Sequence, residues 1–231
     1  MHWKLKLLIY LIEKRPDLYF RLKGLQGHIV SDDKEFWKAH VQLLKDGRGI
    51  QSLFERLNLW NLVKATNKLP GVLAEVGVYQ GGSAKLACLV KGDAPLYLFD
   101  TFEGMPDVNK STDGVFNKGD FADTSMENVK KYLSEFPNVK LYKGFFPDSA
   151  RGQEPENLQY RFAHLDVDIY ESTIKALEFF YPRMVKGGVL ISHDYGKKAA
   201  PGVAKAFTEF FADKPETVVA LWYTQCVITK S

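Results

Sequence analysis

From residue 72 onward, short apolar runs alternate with longer stretches in which apolar residues recur every three or four positions. That alternation predicts strands over 72–76, 96–99, 139–142, 162–167 and 189–192, and helices over 84–90, 126–135, 172–181 and 203–211. Strands that alternate with helices make parallel pairs, because each crossover returns the chain to the same edge, so the pattern is α/β with a doubly wound sheet. The last two β-rich runs, 217–223 and 225–230, have almost no connection between them, and only an antiparallel pair is joined so tightly.

The front of the chain follows the helical period. Phe36, Trp37, Val41, Leu43 and Leu44 form one set; after the break Asp46-Gly47-Arg48-Gly49, Leu53, Phe54, Leu57, Trp60, Leu62 and Val63 form a second. We therefore expect a helical extension over 1–70 capping a sheet domain over 71–231. Near the start, Leu5–Ile12 is apolar but short, interrupted by Lys6 and followed by Glu13-Lys14-Arg15-Pro16. It has no small-residue cleavage site, so it reads as neither signal peptide nor transmembrane segment. Lys4, Lys6, Lys14, Arg15, Arg21 and Lys23 outnumber Glu13 and Asp17 there. The amphipathic pattern suits docking or self-association into a homo-oligomer, and the basic excess suits a membrane surface.

Composition narrows the classes. With 231 residues, 45% of them hydrophobic and 13% aromatic, the chain buries a sizeable core. A net charge of +3 with no run of like charges gives no footprint for nucleic acid. Two cysteines, Cys88 and Cys226, fit buried free thiols of a reducing compartment and match no zinc spacing, so a cytoplasmic protein is expected.

The candidate chemistry begins at Val72-Leu-Ala-Glu-Val-Gly-Val-Tyr-Gln-Gly-Gly-Ser83, an apolar run that breaks into a glycine-rich turn and enters a small-residue helix. Glycines at 77, 81 and 82 let the backbone take positive φ and let a ligand approach, while Ser83 is placed to cap the helix. A crossover also carries glycine for geometry alone. The next run, Pro95-Leu-Tyr-Leu-Phe-Asp100, ends in the carboxylate that nucleotide-binding α/β folds set on ribose hydroxyls. The dinucleotide fingerprint G-x-G-x-x-G is absent, and Glu75-x-Gly77-x-x-x-Gly81-Gly82 reads instead as a site for S-adenosylmethionine. Between 101 and 125 lies a stretch rich in Gly, Asp, Asn and Lys, long enough for a lid and equally compatible with a plain surface loop.

Four motifs together carry a resemblance: Glu75-Val-Gly-Val-Tyr-Gln-Gly-Gly-Ser83, Leu98-Phe-Asp-Thr-Phe-Glu-Gly-Met-Pro106, His164-Leu-Asp-Val-Asp-Ile-Tyr-Glu-Ser-Thr173 and Asp194-Tyr-Gly196. Over roughly 70 to 231 the chain resembles the macrocin O-methyltransferase family, S-adenosylmethionine- and magnesium-dependent enzymes that methylate sugar or phenolic hydroxyls of natural products. The first motif is also similar to that of catechol O-methyltransferase. The resemblance implies a Rossmann-like class I methyltransferase fold with a mostly parallel seven-stranded sheet and an antiparallel last strand. It implies Gly77 and Ser83 near the methionine portion, Tyr79 beside the cofactor, Glu75 orienting the turn or the amino group, and Asp100 on the ribose. Gly144 and Phe145 match the region bordering adenine, although Phe145 also suits a core.

For the metal, the resemblance implies Mg²⁺ on Asp166 and Asp194, at the carboxyl ends of two strands. The family usually carries two adjacent acids where this chain has His193-Asp194. An imidazole favours softer ions, so His193 is read either as a ligand or as a group standing behind a magnesium held by the acids. Methyl transfer to a hydroxyl needs that hydroxyl polarised and its proton removed. Asp168 is the candidate base, with Asp166 beside it, and Asp168 also suits charge complementarity at a helix start. His164, Asp166 and Asp168 share strand parity and are expected on one side. The partner is then a small-molecule hydroxyl acceptor, a sugar or natural product. A catalytically silent methyltransferase-like binding module and a nucleotide-binding oxidoreductase remain as alternatives.

Overall fold

A computed structural model describes residues 3–27, 32–48, 50–152 and 157–231, so Gly49 of the predicted break lies outside the described residues. Four helices come first: α1 (Trp3–Lys14), α2 (Pro16–Leu22), α3 (Lys34–Asp46) and α4 (Leu53–Thr66). Each start has a local cause. Pro16 opens α2 at the position where a missing N–H costs nothing, and Asp33 accepts the Phe36 amide at 3.0 Å to begin α3. Ser52 and Glu55 form a capping box at α4.

The sheet then builds from β1 (Val72–Val76), β2 (Leu96–Asp100), β3 (Val139–Lys143), β4 (Tyr160–Leu165), β5 (Met184–Ser192), β6 (Val219–Ala220) and β7 (Cys226–Thr229), in spatial order β3-β2-β1-β4-β5-β7-β6. The first five are parallel; β7 runs antiparallel to both β5 and β6. Helices α5 (Gly82–Val90), α6 (Met126–Tyr132), α7 (Tyr170–Phe180) and α8 (Pro201–Phe210) fill the crossovers. This is the α/β class and strand arrangement expected.

Boundaries moved for physical reasons. The strand expected over 162–167 is Tyr160–Leu165, because the chain leaves the ladder at Asp166 to enter the site. The run 217–223 pairs only at Val219 and Ala220, and the helix expected over 126–135 stops at Tyr132. Ser83 is not the cap: α5 starts at Gly82 after Gly81 in the left-handed region, and no side chain caps it.

Strand residues alternate between two cores. Leu73, Leu96, Leu98, Phe162, Val189 and Ile191 face the side covered by α1, α3, α4 and α5. Ala74, Tyr97, Phe99, Ala163, Leu165 and Leu190 face α7 and α8. The helical front is continuous with the first core: Phe36, Trp60 and Val63 are no more than 2% exposed, and burying each such side chain contributes about 1.5–3 kcal/mol.

One ladder bond past each strand end lines up the site. Gly144 N donates to Asp100 O, Gly77 N to Phe99 O, Asp166 N to Val76 O and His193 N to Leu165 O, at 2.8–3.0 Å. Residues 144, 100, 77, 166 and 193 therefore stand side by side along the carboxyl edge. The strand order reverses between β1 and β4, the crevice where open α/β sheets take ligands.

Candidate active site at the carboxyl edge of the sheet

A single cleft along this edge is lined by Gly77, Tyr79, Ser83, Asp100, Gly144 and Phe145 on one side and by Asp166, Asp168, His193, Asp194 and Lys197 on the other. The first group hangs on Gly77. Its φ is +85°, and a Cβ there would sit 1.9 Å from the Asp166 carbonyl oxygen, so β4 can pass this close only over a glycine. The turn after it is braced by Asp100, whose Oδ2 accepts the amides of Val78 (2.7 Å) and Tyr79 (2.8 Å) and whose Oδ1 accepts Phe102 N (2.6 Å). Most of the carboxylate's acceptor capacity is thus spent shaping the turn, a role the ribose expectation did not include.

Glu75 is buried beneath the turn, where it accepts a short hydrogen bond from the Ser83 hydroxyl. His164 lies opposite it in register, with Nδ1 3.4 Å from Glu75 Oε1. The expectation that His164 shares a side with Asp166 and Asp168 fails, because the ladder ends at Leu165 and Asp168 turns at φ +60°. His164 is buried and does not line the cleft. Tyr79 lines it and donates its hydroxyl to Asp123 (2.8 Å), which ties the turn to the 101–125 segment. Thr101, Gly104, Met105, Pro106 and Phe121 of that segment wall the cleft. Buried Asp113 pins it by accepting the Tyr170 amide at 2.8 Å at the start of α7. Gly202 makes room, since a Cβ there would lie 2.7 Å from that same carboxylate.

The second group is a carboxylate cluster. Asp166, His193 and Asp194 each offer a ligand atom, all within 4.8 Å of one another. His193 Nδ1 lies 3.2 Å from Asp166 Oδ1 and 3.1 Å from Asp194 Oδ1, and Nε2 lies 3.2 Å from Glu55 Oε1. Burial alone would lower the imidazole's pKa; Asp166, Asp194 and Glu55 more than reverse that and raise it strongly. Burial would raise Glu55, yet the charge of His193, with Thr224 Oγ1 at 2.6 Å and the Ser52 amide at 2.7 Å, holds it at about 2. Asp168 is raised well above the carboxylate range by burial and by its hydrogen bond to Asp194, with Asp166 adding repulsion. Lys197 stands over the cluster, 3.0 Å from Asp194 and 3.8 Å from Asp168.

Sequence reasoning brought together Asp166, Asp168, His193 and Asp194 and missed Glu55, Gln51 and Lys197. Gln51 donates to Asp166 Oδ2 at 3.2 Å. The Ser52-x-x-Glu55 capping box was a legible signal, but it reads as a helix start and not as a site.

Comparisons with known proteins bear on the family and the fold. A tetracenomycin methyltransferase of Streptomyces olivaceus, 8-demethyl-8-(2,3-dimethoxy-alpha-L-rhamnosyl)-tetracenomycin-C 4'-O-methyltransferase, is 31% identical over 142 residues, 55% of this chain and 54% of that protein. Demethyldecarbamoylnovobiocin O-methyltransferase of Streptomyces niveus is 29% identical over 56% of this chain and 54% of its own length. The matched region thus spans about half the length of these relatives. The crystal structure of CalS11, calicheamicin methyltransferase, shares the fold with a TM-score of 0.69 at 20% identity, over 94% of this chain and 92% of that one. The family model of macrocin-O-methyltransferase (TylF) matches residues 54–218, from the first turn of α4 through every crossover of the sheet. The chain belongs to the macrocin O-methyltransferase (TylF) family.

Proposed function

We propose that the protein is an S-adenosylmethionine-dependent O-methyltransferase that methylates a hydroxyl of a sugar or related natural product with the help of a divalent cation, Mg²⁺ first. The observation that carries this is the pairing, within one cleft, of a glycine turn braced by Asp100 with the acid cluster at Asp166, Asp168 and Asp194. Two relatives, named as O-methyltransferases of a rhamnosyl-tetracenomycin and of demethyldecarbamoylnovobiocin, support the acceptor class. Two buried free thiols, Cys88 and Cys226, support a cytoplasmic setting.

The donor set fits a cation. Oδ1 of Asp194 is buried without an aligned hydrogen bond, although His193 and Lys197 stand near it, so it keeps a lone pair for a cation; both ring nitrogens of His193 also lack an aligned bond, and the ring could join as a ligand only on giving up its proton. Oxygen ligands from Asp166 and Asp194 suit Mg²⁺, with His193 behind them or joining them. When bound, S-adenosylmethionine supplies an electrophilic methyl group, and the cation supplies charge that polarises the acceptor hydroxyl and lowers the proton affinity of nearby carboxylates. The chain supplies the rest. Gly77, Ser83, Asp100, Gly144 and Phe145 shape the cofactor side; Tyr79, Met105 and Phe121 keep water out. Burial beside Asp194 keeps a proton on Asp168 in the empty site; with a cation's charge offsetting that, Asp168 would release this proton to solvent and be free to take the one from the acceptor hydroxyl.

Asp168→Asn should lower turnover by about 10²–10⁴-fold, as loss of a general base does, while affinity for S-adenosylhomocysteine stays near wild type. Radiolabelled methyl transfer to a panel of sugar and catechol acceptors, before and after chelation, tests the remainder. Transfer lost on chelation and restored by Mg²⁺ is expected. Activity surviving chelation removes the metal, and restoration only by Zn²⁺, Co²⁺ or Ni²⁺ makes His193 a ligand. Cofactor binding with no transfer to any acceptor leaves the silent binding module.

A further inference from the structure

Helix α1 has two apolar faces, and the core takes one. Leu5, Leu8, Ile9 and Ile12 pack into the core, Ile9 and Ile12 each 6% exposed. On the opposite face Trp3, Leu7 and Tyr10 follow the spacing of one helical stripe and stand 63%, 48% and 54% exposed. A helix that only covered a core would carry polar residues there. Lys14 extends the stripe, and Lys4 and Lys6 fall at its two edges. Just beyond, α2 adds exposed Leu18 and Leu22 with Arg21 between them. Of the two acids in this region, Glu13 is already paired with Lys45 at 2.7 Å, which leaves the face more basic than its sequence count.

We propose that this face rests on an anionic lipid surface, with Trp3, Leu7 and Tyr10 at the headgroup boundary and the lysines and arginines against acidic headgroups. Aromatic and leucine side chains flanked by lysines are what an in-plane helix needs, and each basic residue near an acidic bilayer adds roughly fivefold to partitioning. At 12 residues α1 lies along the surface, and no described helix is long and apolar enough to cross a membrane. A second copy fits the charge less well, since a two-fold interface would set this basic face against itself. The inference does not depend on the transfer chemistry.

Flotation of the full chain with vesicles of phosphatidylcholine alone, and of phosphatidylcholine mixed with phosphatidylglycerol, tests it. The protein should rise with the mixed vesicles, stay down with the neutral ones, and release as salt is added. Leu7→Glu with Tyr10→Glu should cut the bound fraction at least about tenfold; both positions are exposed, so circular dichroism and the thermal midpoint should hold. Lys6→Gln with Lys14→Gln should weaken binding without touching the apolar stripe. The proposal is overturned if the wild type stays down with acidic vesicles or if both double variants float as it does. A dimer in light scattering that Leu7→Glu with Tyr10→Glu dissolves would also overturn it, by giving the face to a second copy.

Discussion

Asp100 accepts three backbone amides, and so it decides whether the glycine turn has a fixed shape before any ligand arrives. Asp100→Ala should therefore cost about 1.5–3 kcal/mol of affinity for S-adenosylhomocysteine in calorimetry, the scale of lost hydrogen bonds to a charged group. Asp100→Asn, which keeps one acceptor oxygen, should cost less. Equal affinity in all three proteins would mean that the turn holds itself. Asp100 and Gly77 were legible in sequence because their signals are local: a strand, a glycine, a second strand ending in an acid. Glu55 and Gln51 were not, because nothing local ties them to Asp166 and Thr224, which lie 115 and 169 positions away from Gln51 and Glu55 respectively. Lys197 was hidden for another reason, since a lysine after a loop aspartate reads as a solvated charge until the fold sets it against two acids.

The α3–α4 pair makes its own prediction. His40 on α3 is buried, stacked on Phe36 and next to Trp37, and its Nδ1 accepts from the Arg56 guanidinium of α4 at 3.3 Å, which requires a neutral ring. Burial, and then the charge of Arg56, push it down from 6.5 to about 3. The unfolded chain binds a proton below pH 6.5 that the folded chain refuses, so stability is full above that pH and falls on the way to pH 3. The slope is about 1.4 kcal/mol per pH unit, or roughly 2 kcal/mol lost by pH 5. Urea unfolding at pH 7.5, 6 and 5 should show this loss in the wild type and a flatter profile in His40→Asn; parallel profiles would mean that the ring takes its proton inside. The elements themselves were mostly readable, and the errors fall where tertiary contacts override pattern. β4 ends early because Asp166 is drawn into the site, and α7 begins at Tyr170 because Asp113, far back in the chain, caps it. The polar run 101–125 gave no sign that Met105, Asp113 and Phe116 are buried, since a glycine- and lysine-rich composition reads as surface.

A helical extension over 1–70 was expected to cap the sheet domain over 71–231, and from the core that the front helices share with one face of the sheet we infer that the two unfold as one cooperative unit. Three of the four tryptophans, Trp3, Trp37 and Trp60, lie in the front, so fluorescence reports on it while far-UV circular dichroism reports on everything. The two urea transitions should coincide, and a fluorescence transition at lower urea would make the extension a unit that unfolds on its own. Glu55 gives that unity a mechanical side. One of its oxygens is fixed to the start of α4 and the other to Thr224 and His193, so the side chain works as a pin between a rod and a latch. A slide or tilt of α4 would carry the Glu55 carboxylate with it and so bear on the imidazole beside Asp166. Pressure applied to the outer helices would then have a short route to the acids that bypasses the sheet, and the front of the chain would be a gear for the site as well as its cover.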